Sequence, residues 1–377
     1  MIENCKGKIL YVGGFELPDR NAAAHRVLNN AKIFRLLNFQ VVFCGIDKSI
    51  VSFSNEPKDV DGFESYPIPY PSSLRSWIRQ MIDIKQYLMI LKKYENIKLV
   101  IAYNLHAFPL SKLLRYCHKH HIKVAVDCTE WYQNKISFNP IKFVKYIDTV
   151  LCMKRYQKKC DGMIAISRYL EEYYKKYISN IIVVPPLVDL EDRKYQNLSE
   201  KEKTDKIRFV YCGSPAVTKE ALGNVVACFN NLEKDNFIFR IVGITQEQFV
   251  KMYGVTPKET KIFFEGRISH TEALNIVRQS EYAIIIRPKN RVTQAGFPTK
   301  FVEAISCGTA VIANDTSDLK LFLKDEKNGY IVKEDNLEEE MTKILHANSI
   351  PVIEKKLFDY HRWEEPFKNF IAELQLL

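Results

Sequence analysis

The chain has 377 residues, 46% of them hydrophobic and 27% charged. These are values of a globular protein with room for two domains, and they exclude a disordered, collagen-like or rod-like chain. Lysine and arginine outnumber aspartate and glutamate by 28 to 17 in residues 1–190, but stand at 27 to 28 in the rest. The basic first half points to an anionic partner (a membrane surface, a lipid phosphate or a nucleic acid) or to a solvated basic face.

No apolar run approaches the roughly 20 residues that cross a bilayer. The start, Met1-Ile-Glu-Asn-Cys-Lys-Gly-Lys8, leads directly into Ile9-Leu-Tyr-Val12, without the apolar core and cleavage site of a signal peptide. Nine scattered cysteines with no Cys-x-x-Cys pair fit a reduced, cytoplasmic protein.

In chain order, continuous apolar runs predict strands at Lys8–Val12, Gln40–Cys44, Lys98–Tyr103, Lys123–Asp127, Gly162–Ile166 and Ile181–Val184. Helices are expected between them near 22–37, 73–94, 107–120, 142–160 and 168–178. The almost wholly polar stretch 191–206 reads as a linker. The pattern then restarts, with strands at Ile207–Cys212, Phe237–Val242, Lys261–Phe264, Tyr282–Ile286, Ala310–Ala313 and Tyr330–Val332. Its helices fall near 219–232, 271–280, 299–306 and 337–346. Alternation of this kind predicts an α/β chain of two doubly wound, Rossmann-like domains. Their expected bounds are 1–190 and 207–351, with residues 352–377 forming C-terminal helices that return to the first domain. Ligands of such sheets lie beyond the carboxyl ends of the strands, so a cleft between the domains is expected.

The first strand ends in Gly13-Gly14, ahead of a helix near Ala22. This is not Gly-x-Gly-x-x-Gly, and no acid closes the second strand, so a nicotinamide site is poorly supported. In the second half Gly213-Ser-Pro-Ala-Val-Thr-Lys219 repeats the arrangement and brings a cation to an expected helix start. The richest stretch runs from Arg287 to Ala313. Pro298-Thr299 suits a helix start and Gly308 its end. Backbone amides near 296–300 form an anion site, to which Lys300 and Arg291 add charge. Glu303, one turn on, can accept two hydrogen bonds from a ribose diol.

This stretch, Ala295-Gly-Phe-Pro-Thr-Lys-Phe-Val-Glu303-Ala-Ile-Ser-Cys-Gly308-Thr-Ala-Val-Ile312, resembles the donor-site signature of the retaining glycosyltransferases of family 4, which have the GT-B fold. Gly213–Glu220, Phe239–Gly243, Phe264–Ile268 and Val183–Asp189 are similar to other segments of that family. The resemblance is specific over 207–313 and looser before it. It implies a sugar transfer from a UDP- or GDP-linked donor, with Glu303 on the ribose and Lys219 on the diphosphate. Gly213, Gly296, Phe297, Pro298, Thr299 and Lys300 would line the phosphates, and Arg267 and Ile268 the base. In the first domain Gly13 and Gly14 would approach the diphosphate or acceptor, and His106 the transferred sugar. Asp127, Glu130 and Arg168 would contact acceptor or sugar.

Two departures stand out. The family's first glutamate falls on Ala295 and its phosphate-binding arginine on Ser214; Arg287, Lys289 and Arg291 are the expected substitutes. The leaving diphosphate itself can take the acceptor proton, so neither a metal nor another cofactor is required. His118-Lys-His120-His121 reads as a polar helix end rather than a metal site. The basic, amphipathic segments 72–94 and 142–159 would suit an anionic bilayer carrying a lipid-linked acceptor. That places the protein in the cytoplasm, peripheral at the inner membrane face, in bacterial capsule, lipopolysaccharide or exopolysaccharide synthesis. A nucleotide-sugar 2-epimerase of similar fold and a non-catalytic nucleotide-sugar-binding scaffold are the competing readings. No recognition motif supports nucleic acid.

Overall fold

The computed structural model describes residues 5–132, 139–234, 236–347 and 349–377. The first four residues, where the reading of the chain start begins, lie outside that set. The chain divides into two compact units: the residues up to Leu187 together with Tyr360–Leu377, and Val188–Asp359.

The first unit runs β1 (Gly7–Gly13), α1 (Ala22–Leu36), β2 (Phe39–Cys44), β3 (Ile46–Asp47), β4 (Lys58–Val60), β5 (Phe63–Ser65) and β6 (Ile68–Pro69). It continues with α2 (Leu74–Ile82), α3 (Lys85–Lys93), β7 (Ile97–Tyr103), α4 (Ala107–Lys119), β8 (Lys123–Cys128) and α5 (Pro140–Leu151). It closes with β9 (Gly162–Ala165), α6 (Arg168–Tyr174) and β10 (Ile181–Val183). The main sheet has the order β10-β9-β8-β7-β1-β2-β5-β4. Every pair in it is parallel except β4 with β5. Ile9, Leu10, Tyr11 and Val12 are fully buried, as a central strand covered on both faces requires.

Strand order reverses between β1 and β7, which makes their carboxyl ends the switch point of the sheet. Gly13 sits there at φ +136°, and a Cβ on it would lie 1.8 Å from the Tyr103 carbonyl oxygen. Glycine at this position is dictated by the approach of two strands.

The second unit opens with α7 (Arg193–Gln196) and β11 (Ile207–Cys212), then α8 (Leu222–Asn231), β12 (Phe237–Val242), α9 (Gln246–Tyr253) and β13 (Ile262–Gly266). There follow α10 (His270–Gln279), β14 (Tyr282–Ile285), α11 (Arg291–Ala295), α12 (Thr299–Cys307) and β15 (Ala310–Ala313). Then come α13 (Leu319–Phe322), β16 (Gly329–Ile331) and α14 (Leu337–Leu345). The sheet order is β13-β12-β11-β14-β15-β16, all parallel. This is the doubly wound 3-2-1-4-5-6 order, with its switch point between β11 and β14. An aromatic cluster fills the core: Phe209 lies 5.1 Å from Phe229 and 5.5 Å from Tyr282.

The polar stretch read as a linker is bound along this second unit. The Ser199 amide donates to Asn275 Oδ1 at 3.0 Å, Gln279 Nε2 donates to the Glu200 carbonyl at 2.6 Å, and Lys201 and Arg208 converge on Glu281 at 3.2 and 3.1 Å.

The last helix, α15 (Glu364–Glu373), belongs to the first unit. Phe367 packs edge-on against Phe34 of α1 at 5.1 Å, and Asn180 Nδ2 donates to the Phe370 carbonyl at 3.1 Å.

Candidate functional site

In the second unit the carboxyl ends of β11, β12 and β13 draw together. The Gly213 amide donates to the Val242 carbonyl at 3.0 Å, and the Gly243 amide to the Gly266 carbonyl at 2.6 Å. Beyond them opens a cavity of about 450 Å³ lined by Ser214, Pro215, Gly243, Ile244, Gln248 and Arg267, among others. Arg267, expected at the base, therefore stands beside Ser214. Ile268, half-buried, is two residues before the start of α10.

On the other side of β11, at the switch point, Lys300 is the second residue of α12. No side chain caps that helix, and its first turn holds no acid. The lysine stem lies over Gly213, where a Cβ would fall 2.6 Å from Lys300 Cε, and its ammonium is 4.8 Å from the Tyr211 ring centroid. Its partner is Glu220, at 2.7 Å; the two side chains are 16% and 8% exposed. Among the described residues Glu220 Oε2 and the Tyr211 hydroxyl, both buried, have no hydrogen-bond partner. Asn290 Nδ2 donates to the Thr218 carbonyl at 3.1 Å, joining the loop after β11 to the start of α11. Gly296 is the residue that ends α11, Phe297 and Pro298 are buried, and Thr299 opens α12.

Lys219 does not stand at a helix start. It lies in a turn, and α8 begins only at Leu222. Glu303 is half-buried one turn into α12, with His270 Nε2 at 3.4 Å. His270, the first residue of α10, gave no signal in the sequence. Burial, with the Glu303 carboxylate adding, pushes the nearby Cys212 thiol up to about 12, so it stays protonated.

The proposed substitutes for Ser214 fare differently from expectation. Arg287 is buried; its Nη1 donates to the Thr293 carbonyl at 3.3 Å, which fixes α11. Lys289 is turned toward Asp315, and Arg291 opens α11 on the surface. Lys300 is the cation that lies against the β11 turn. Ala295 is fully buried.

In the first unit Asp127 corrects the sequence reading. It is buried beneath α1, where Arg26 Nε donates to Oδ1 at 2.7 Å and Asn30 Nδ2 to Oδ2 at 3.3 Å; the Tyr11 hydroxyl also donates to it. Arg26 Nη1 reaches on to the Val184 carbonyl at 2.8 Å. Burial acts to lower Arg26, but the Asp127 carboxylate together with Tyr11 and Tyr103 outweighs it and holds the guanidinium above its ordinary value. Asp127 is thus half of a buried ion pair that binds α1 to the sheet, and is closed to an acceptor. Gly14 lies at the β1–β7 switch beside Asn104. Glu130 follows β8 and is half-buried. Arg168 opens α6 at the β9–β10 side of the sheet, facing Glu171, Glu172 and the α15 residues Asn369 and Glu373 across a shallow depression. The structure does not bring it to the β1–β7 switch.

His106 stands just beyond β7, immediately before α4. Its Nδ1 is 2.7 Å from Asp148 Oδ2. The His118–His121 cluster is the end of α4: His118 pairs with Asp161 at 2.9 Å and His120 packs on Tyr116. The chain holds one Asp-x-Asp triplet, Asp59-Val60-Asp61. It forms the exposed β4–β5 hairpin, where Asp59 Oδ1 accepts from the Gly62 amide at 3.3 Å.

Residues 193–356, which fall within the second unit, match the family model described as glycosyl transferases group 1. The chain is 22% identical over 363 residues to a protein of Methanocaldococcus jannaschii described as an uncharacterized glycosyltransferase; the match covers 92% of this chain and 81% of that one. Among solved structures, sucrose-phosphate synthase from Thermosynechococcus elongatus superposes with a TM-score of 0.69 at 14% identity, covering 98% of this chain and 99% of the other. Anabaena HepE, solved with UDP and glucose, gives 0.61 at 11% identity, covering 97% and 99%. The fold is the GT-B type, with two Rossmann-like units.

The Lys300–Glu220 pair yields a stability prediction. Lys300→Met leaves a buried carboxylate unpaired and lowers the unfolding free energy of the chain by about 3 kcal/mol. Adding Glu220→Gln recovers most of that loss. Urea denaturation of both variants measures it.

Proposed function

We propose that this chain is a retaining glycosyltransferase. It moves a sugar from a UDP- or GDP-linked donor to a glycan or lipid-linked glycan acceptor, in the assembly of a bacterial surface polysaccharide. One observation carries the reading: the uncapped start of α12 and the Lys300 ammonium meet the β11 turn at the switch point of a glycosyl transferases group 1 domain. Helix-terminal amides and a low-exposure cation are what a diphosphate needs. The UDP and glucose in the HepE structure support a nucleotide-sugar donor.

On this reading the base occupies the cavity beside Ser214 and Arg267, and Glu303 takes the ribose, with His270 turning its carboxylate. Lys300 exchanges Glu220 for the diphosphate, assisted by Lys219 and the amides of Gly296–Lys300. As the glycosidic bond breaks, charge grows on the diphosphate, and these fixed dipoles and cations stabilise it there. A phosphate oxygen removes the acceptor proton on the face the leaving group vacates, so no protein base is needed. His106 holds the transferred sugar.

The first unit also supports membrane docking. Leu74, Ile78 and Ile82 on α2, and Ile141, Phe143, Val144 and Ile147 on α5, are exposed. Arg75, Arg79, Lys142 and Lys145 accompany them, and Lys145 Nζ lies 5.7 Å from the Trp77 ring, so the two helices adjoin. Among the described residues no helix is long and apolar enough to cross a membrane. Apolar side chains with flanking cations are the pattern of an interfacial helix.

Thermal-shift titration with UDP, GDP and their sugar conjugates tests the donor site. One nucleotide raises the melting temperature. The Glu220→Gln/Lys300→Met double variant binds that diphosphate about tenfold or more weakly, with affinity for the bare nucleoside unchanged. Equal diphosphate affinity contradicts the site. Co-sedimentation with phosphatidylglycerol vesicles tests docking: the wild type binds, and Ile78→Ser/Phe143→Ser does not. Binding that survives in the variant rejects this surface.

A further inference from the structure

We propose that Asp148 is a positioning residue for His106, fixing which nitrogen of the imidazole carries the proton. The proposal rests on the glycosyltransferase reading above, in which His106 meets the transferred sugar.

One carboxylate grips two groups at the end of β7. Asp148 Oδ2 is 2.7 Å from His106 Nδ1, and Oδ1 accepts from the Ala107 amide at 2.8 Å. Ala107 is the first residue of α4, whose start has no side-chain cap of its own from His106. A carboxylate at a helix start is favoured by the exposed amides and the helix dipole. The Asp148 side chain is 11% exposed, so the pair is shielded from bulk water, whereas the imidazole is 31% exposed. The same stretch of chain reaches back a second time: the Cys152 thiol donates to the Leu105 carbonyl at 3.2 Å. Asn104, at φ +47°, begins this short loop. Residues 104–107 are therefore held from residues 148–152 by three contacts.

An ionised carboxylate only accepts hydrogen bonds, so Nδ1 must donate. In the neutral imidazole that leaves Nε2 as the acceptor, able to take a sugar hydroxyl. The helix carrying Asp148 makes the arrangement unusual. No residue of α5 is buried, so core packing does not account for its seat, and its polar grip on the β7 end has more to do. Both Asp148 oxygens are committed to the loop, Oδ2 to the His106 ring and Oδ1 to the Ala107 amide.

Asp148→Asn separates a positioning role from a structural one. The asparagine carbonyl oxygen can still accept from the Ala107 amide, which preserves the helix start. Its amide group then faces Nδ1 and donates, which reverses the imidazole and places the proton on Nε2. The experiment uses the full chain labelled with ¹⁵N, with the His106 ring assigned by comparison with His106→Gln. Long-range ¹H–¹⁵N spectra report the Nδ1–H form in the wild type, the Nε2–H form in Asp148→Asn, and the Nδ1–H form again in Asp148→Glu. The melting temperature of Asp148→Asn stays within about 3 °C of the wild type. With the donor found by the nucleotide titration, kcat falls about tenfold or more while the donor KM changes less than about twofold; Asp148→Glu recovers part of kcat.

A wild-type ring in the Nε2–H form, or an Asp148→Asn ring that keeps Nδ1–H, overturns the pairing. A reversed ring with unchanged kcat overturns its role in transfer. Failure of the parent reading is seen separately, as a wild-type chain that binds no nucleotide, and it leaves the ring spectra to decide the pairing by themselves.

Discussion

A lysine at the start of a helix works against the helix dipole, and Lys300 holds that position with no acid in the first turn of α12. It is kept there by Glu220, a carboxylate 80 residues earlier in the chain, in an ion pair largely removed from water. Such a pair gains little net stability, because desolvation offsets attraction. What it provides is place: a cation lying across Gly213, at the one point of a doubly wound sheet where neighbouring crossovers diverge. The rest of the second unit follows from that constraint. Gly213 has no side chain because the lysine stem occupies the space. Asn290 ties the β11 loop to α11, and Arg287 is drawn inward to hold α11 rather than outward to a ligand.

The first unit answers the same need with a different device. Its switch point is closed by Gly13 against Tyr103, and α1 is locked to the sheet by Arg26 and Asp127. The carboxylate that a sequence would place in a site is instead internal, whereas Asp148, which holds the His106 ring just beyond β7, comes from a helix with no buried residue. The two acids differ in what packs above them: α1 seals Asp127, whereas Asp148 lies beside a half-buried imidazole.

Strand alternation, the restart of the pattern after 191–206 and the α12 signature were legible because each depends on local apolar runs or on adjacent residues. The helix expected over 73–94 breaks in two at Asp83-Ile84, where Asp83 Oδ1 accepts from the Lys85 amide. The helix expected over 142–160 begins earlier, at Pro140, and gives way to a π-helical turn at Cys152. The strands Ile46–Asp47 and Ile68–Pro69 are too short for periodicity to show. Pairings across the fold were not legible at all: Glu220 with Lys300, Asp127 with Arg26, Asp148 with His106. A charged residue near a strand end reads alike whether it meets a ligand or a partner, and only the packing distinguishes them. The Asp59-Val60-Asp61 triplet makes the complementary point, since a motif in an exposed hairpin has no site around it.

Hydrogen exchange with and without the nucleoside diphosphate that binds tests the central claim most directly. Protection is expected to rise in residues 213–220, 243–248, 266–270 and 296–303, the segments that border the β11 turn and the cavity beside it. Protection confined to segments away from these strand ends, with the nucleotide demonstrably bound, would contradict it.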